Sequence, residues 1–192
     1  GSEMCIRDSP RAAFEALLGE LMTLTQSAFG LVGQVQRADD GHPYLRVHAM
    51  TDISWDEASR QRYAQHAEDG MVFDNQHSLV GAALVSGEPV ISNDANHDPR
   101  SAGTPPGHPT LRTYLGLPIH AAGELVAMVG LANRSSGYSN ADVQFLQPLL
   151  STIGQLETAR RAELARSHVE AELARTSALL AEKTRALEGT LD

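Results

Sequence analysis

Residues 111–134, LRTYLGLPIHAAGELVAMVGLANR, decide how this chain folds. Two apolar runs, 113–120 and 125–133, flank an Ala-Ala-Gly-Glu break, and each is strand-length and rich in Val, Leu, Ile or Tyr. The pattern predicts a β-hairpin with a loop of about three to five residues. The second run is apolar at nearly every position, which places it mid-sheet with both faces covered. Side chains alternate along a strand. Leu115, Leu117 and Ile119 therefore share a face, as do Leu125, Ala127, Val129 and Leu131, and these are expected to pack on helices. The opposite parity carries Tyr114, Gly116 and Pro118, then Val126, Met128, Gly130 and Ala132. A turn centred on Gly123 sets Gly116 opposite Gly130. Paired glycines in central strands leave space above the sheet, which is either the floor of a cavity or a gap filled by an aromatic ring.

Upstream of the hairpin, Phe14, Leu17, Leu18, Leu21 and Met22 give one apolar stripe and predict a helix over 11–25. Strands follow at 28–36 and 44–51, joined through the Asp39-Asp40-Gly41 turn signal, so an antiparallel hairpin precedes the central one. Residues 52–70 read as a polar helix and 75–86 as a short apolar helix closed by Gly87. Residues 88–92 are a short strand, placed at a sheet edge by Pro89. Loop 93–109, NDANHDPRSAGTPPGHP, is long and rich in turn formers, as functional lids are. A ligand held between this lid and the glycine face would meet Asn93, Asp94, Asp98, Arg100, His108, Tyr114, Gly116, Met128 and Gly130. The plainer alternative is that Asp94, Asp98 and Arg100 pair among themselves.

Downstream, Asn140 is expected to cap a long helix that Pro148 kinks or restarts. Leu146, Leu149, Leu150, Ile153 and Leu156 form its domain-facing stripe. Beyond Ala159 the apolar face narrows to Val169, Leu173, Thr176, Leu180, Lys183 and Leu187, a heptad seam weakened at Thr176 and Lys183. Such a seam wants a partner, and Val169, Leu173, Leu180 and Leu187 are expected to pair in a parallel homodimer.

The 192 residues are 42% hydrophobic and carry a net charge of -9, ample for one core and unsuited to nucleic acid or an anionic membrane surface. The pattern contains no membrane-spanning run or signal peptide, which makes a cytoplasmic location the expectation. Cys5 is the only cysteine. It lies in residues 1–10, GSEMCIRDSP, which read as an expression scar or assembly artefact. None of the eight histidines has the spacing of a metal site, so no metal is expected.

The element order together with LGLPI…GELVAMVGLANR closely resembles a GAF domain over 11–158, leaving 159–192 as a signalling helix. The resemblance implies an α+β, PAS-related antiparallel sheet of about five to six strands with helices packed on it. It also implies a non-catalytic sensory module of the kind found in bacterial sensor histidine kinases, including two-component systems, and in diguanylate cyclases. Such modules are usually dimeric and feed an output domain through a helix. Loop NDANHDPR is similar to that bacterial subgroup. Against the family's cyclic-nucleotide signature, Asn133, Arg134, Tyr138 and Asp142 occupy matching places while Val143 replaces a glutamate. These four are expected to tie the strand end to the helix start rather than bind a nucleotide. The domain has no cysteine for a covalent bilin or for the sulfoxide reductases built on this fold, and the sequence leaves any other cofactor unspecified. The alternatives are a ligand-free dimerisation module and, less favoured, a small enzyme on the same fold.

Overall fold

The apolar runs assemble into one antiparallel sheet of six strands in the order β3-β2-β1-β6-β5-β4. The computed structural model describes residues 10–51, 71–101, 103 and 109–188, with side chains from 11 to 185 within those ranges. In chain order the elements are α1 (Pro10–Thr25), β1 (Phe29–Arg37), β2 (Pro43–Met50), β3 (Val72–Phe73), α2 (Leu79–Ser86), β4 (Val90–Ser92), β5 (Tyr114–Ala121), β6 (Glu124–Ala132) and α3 (Asn140–Glu188). This is an α+β fold with helices on both faces of the sheet. Residues 1–9, the expected polar helix over 52–70, and His108 lie outside the described residues, as does the Leu187 side chain. No helix among the described residues is long and apolar enough to cross a membrane.

One face of the sheet buries Leu115, Leu117, Ile119, Val129 and Leu131 against Phe14, Leu18 and Leu21 of α1 and Leu146, Leu150 and Ile153 of α3. The other buries Val35, Leu45, Val47, Tyr114 and Met128 beneath Leu79, Ala83 and Leu84 of α2. The hairpin turn is shorter than the expected three to five residues. Ala122 and Gly123 form it alone, with φ of 51° and 82°, the left-handed pair that a type I′ turn requires.

The centre of that turn lies half a residue before Gly123, which by itself would pair Gly116 with Val129. A β-bulge restores the frame: Ile119 pairs with Ala127 and His120 with Leu125, so Val126 is the extra residue. Gly116 then faces Gly130. The bulge corrects the simple parity. Val126 joins Ala127 on the α1/α3 face, while Leu125 turns to the α2 face. A second bulge, between Val32 and Gly33 in the β1–β2 register, leaves His48 as the extra residue of β2. His48 stacks on Phe14 at 4.7 Å, and its Nε2 lies 3.2 Å from the fully buried carboxylate of Glu157.

Two expected boundaries also move. Helix α2 starts at Leu79, with Ser78 as its N-cap accepting from the Gly81 N–H. Asn75 instead accepts the His77 N–H of the preceding turn. Helix α3 continues through Pro148 from Asn140 without a restart. The chain divides into two units, Gly1–Glu157 and Thr158–Asp192. Within the second, Val169, Leu173 and Leu180 are exposed.

Candidate functional site

The space over the glycine pair is taken by a side chain of the same strand. A Cβ on Gly116 would stand 3.0 Å from both Cε1 and Oη of Tyr114, and one on Gly130 would stand 3.4 Å from the same Oη. The two glycines thus let the phenol ring lie flat on the sheet. Tyr114 is 4% exposed, and Met128 and Ala83 of α2 belong to the same buried cluster. Burial pushes the phenol pKa well up, so the ring is neutral. Its hydroxyl has no hydrogen-bond partner among the described residues.

The lid begins at Asn93. Its Nδ2 donates to the Tyr138 carbonyl at 3.0 Å, and its Oδ1 accepts the Tyr138 N–H at 2.8 Å. The far end of the lid is held in the same way. Asn133 Oδ1 accepts the Arg112 N–H at 2.8 Å, and its Nδ2 donates to the Thr110 carbonyl at 2.9 Å. Two side-chain amides therefore tie both ends of the lid to residues 133–138, the link from β6 to α3. Asn133 adopts φ of 61°, a conformation asparagine tolerates better than most residues.

The helix start is anchored at the same place. Arg134 Nη1 donates to Asp142 Oδ1, and the other carboxylate oxygen accepts from the Ser139 N–H and hydroxyl. This is half of a capping box at the first turn of α3. Burial raises the Asp142 pKa, but the bonds from Arg134 and Ser139 outweigh it and hold the carboxyl low. The Tyr138 hydroxyl meets Ser27 at 2.7 Å, and Ser27 meets Thr25 at 2.7 Å, which links this corner to the end of α1.

Inside the lid, Arg100 grips Asp98. Its Nε donates at 2.9 Å and Nη2 at 2.7 Å, while the Arg100 N–H adds a bond at 3.0 Å. The hydrogen bonds from the Arg100 side chain, opposed by partial burial and helped by Ser92, hold the Asp98 carboxyl well below the usual carboxylate range. Arg100 Nη2 also donates to the Ile91 carbonyl on β4 at 2.9 Å. Asp94 pairs with His97 at the surface.

The structure therefore gathers Tyr114, Gly116, Gly130 and Met128 on one face of the sheet. It sets Asp98 and Arg100 in the lid, and it places Asn93 with Asn133, Arg134, Tyr138 and Asp142 in the clasp below. A groove of about 400 Å³ opens on the outer side of α2, lined by Gln76, His77, Ala82, Pro99, Arg100 and Ser101. Of the residues expected from the sequence, only Arg100 lines it. Gln76 and His77 were missed because helix α2 begins three residues later than its capping signal suggested, while Pro99 and Ser101 lie in the lid that the sequence had already marked.

Comparison with known proteins agrees with this fold. A curated relative, the methyl sulfide methyltransferase-associated sensor of Methanosarcina acetivorans, is 26% identical over 160 residues, covering 82% of this chain. The chain spans 15% of that relative's length. The GAF domain of a phosphoenolpyruvate-protein phosphotransferase from Coxiella burnetii superposes with a TM-score of 0.66 at 18% identity, covering 82% of this chain and 88% of that one. The type II free methionine-R-sulfoxide reductase of Thermoplasma acidophilum superposes at 0.56 with 15% identity, covering 77% and 92%. A shared fold thus serves both a domain of a phosphotransferase and a sulfoxide reductase, and the fold alone does not assign a role. Residues 8–156, which include the hairpin, the lid and the clasp, match the GAF domain family, and the chain belongs to it.

Proposed function

We propose that this chain is a non-catalytic sensory module, in which a small ligand held at the lid shifts the start of α3 and a pair of α3 helices carries the shift to an output domain. The observation that carries the reading is the double clasp. Asn93 at the start of the lid bonds Tyr138, and Asn133 bonds Thr110 and Arg112 just beyond its far end, so a shift of the lid has a route to the link that precedes the first turn of α3. A ligand moves such a system only through its differential affinity for two states, and a coupling of about 1–3 kcal/mol is sufficient. The distant relative named as a sensor supports a sensory role. The absence of any cysteine from 11–158 argues against a thiol enzyme on this fold.

The test uses the full-length protein with spin labels at Leu173, measured with and without the compound that regulates its output. In the wild type the interchain distances are expected to change with the compound. Asn93→Ala is expected to abolish that change while the compound still binds. Regulation that survives intact in Asn93→Ala would sink the coupling.

A ligand-free dimerisation module is the second reading, and the Tyr114 ring lying over both glycines favours it. Under that reading no compound stabilises the chain, and thermal denaturation across a metabolite panel would show no shift.

A further inference from the structure

A ring that only fills a gap is cheapest as phenylalanine. Tyr114 instead buries a hydroxyl that finds no partner among the described residues. Stranding such a group disfavours the closed ring by a factor of about 5 to 150 relative to a state in which it is solvated. The slot under the ring is nevertheless well formed. Positions for a Cβ on Gly116 and on Gly130 lie within 3.4 Å of the ring or its hydroxyl, Ala83 Cβ comes within 3.1 Å of the first, and Leu31 Cγ within 3.2 Å of the second. Apart from the tyrosine hydroxyl itself, the nearest atoms to both of those positions are carbon. Tyr114 is also the first residue of β5, the strand that follows the lid, and is paired with Ser92 at the end of the edge strand β4. The ring is therefore hinged at the rim of the sheet rather than in its middle.

We propose that Tyr114 is a displaceable plug, seated in a slot for a flat, neutral, monocyclic aromatic ligand of its own size, which binds by taking the place of the ring while the tyrosine hydroxyl reaches water. The walls specify the class. They strand the tyrosine hydroxyl, so they would strand a ligand's charge or hydrogen-bonding group as well, whereas a carbon ring loses nothing there. The proposal deepens the sensory reading and rests on it for the signal, but not for the binding step.

Toluene is the probe, and the full 192-residue chain carries fluorotyrosine at its four tyrosines. Tyr114→Phe removes one fluorine resonance and so assigns it. In the wild type, toluene is expected to move the Tyr114 resonance from its buried to its solvent-exposed position and leave the rest in place. Tyr114→Phe keeps the plug without the stranded hydroxyl and should bind toluene about tenfold more weakly, because its open state is rarer. Tyr114→Ala leaves the slot empty and should bind more tightly than the wild type. No binding by the wild type, equal affinity in wild type and Tyr114→Phe, or a Tyr114 resonance that stays buried at saturation would each overturn the plug. If Tyr114→Ala does not fold, the wild type and Tyr114→Phe still decide. The readout is binding alone, so failure here is distinct from failure of the lid-to-helix coupling, which Asn93→Ala reports.

Discussion

At the scale of single residues, polar side chains carry the two connections that matter most. Asn93 both donates to and accepts from the Tyr138 backbone, and no other residue type of that size can do both. Asn93→Ala should therefore also cost about 1–3 kcal/mol of stability by urea unfolding, through the two backbone groups left without partners. Asp98 behaves differently because its contribution depends on charge. Its folded pKa is depressed by Arg100, so its stabilisation is present above the unfolded value, about 4, and drains away as pH falls below it. Arg100 is 43% exposed, and solvent screening keeps the effect to about 1–2 kcal/mol. Asp98→Asn should lose that amount at pH 7, and the gap to the wild type should close between pH 4 and the folded pKa in urea titrations. The sequence offered the Asp98–Arg100 pairing as one of two readings, but it did not name the partner of Asn93. Asn93 stands out as the opening of a turn-rich lid, yet its contact with Tyr138 spans 45 positions, and nothing local announces it.

At the scale of elements, the hairpin was legible and its internal frame was not. Continuous apolarity marks β6 as central, and β6 does lie between β1 and β5. The bulge at Val126 leaves no trace in composition, because Val126 and Ala127 are both apolar and either parity reads well. Strand β3 escaped for the opposite reason: two residues, Val72 and Phe73, are too few to show a period. The turn can be tested directly. Ala122 adopts φ of 51°, which costs a Cβ-bearing residue about 1 kcal/mol, while Asn accepts that region more readily and Asn-Gly is the preferred type I′ pair. Ala122→Asn should raise the thermal midpoint by roughly 2–6 °C. A fall on calorimetry would show that the loop has a different geometry.

At the scale of the whole molecule, the second unit presents Val169, Leu173 and Leu180 to solvent at 64%, 66% and 61% exposure. Three such residues at heptad spacing are costly on a solitary helix and natural in a pair. Replacing Leu173 and Leu180 together with Glu should convert dimers to monomers by sedimentation velocity without altering the heat capacity of unfolding of the domain. A wild type already monomeric at high micromolar concentration would remove the premise. The sheet itself invites no such pairing. Its two border strands are β3 and β4, of two and three residues, and Arg100 occupies the Ile91 carbonyl on one of them. A fibril grows by laying new strands along a long, regular border, and among the described residues the border strands β3 and β4 are the shortest of the sheet. Margins this brief blunt amyloid templating, independently of how stable the core is.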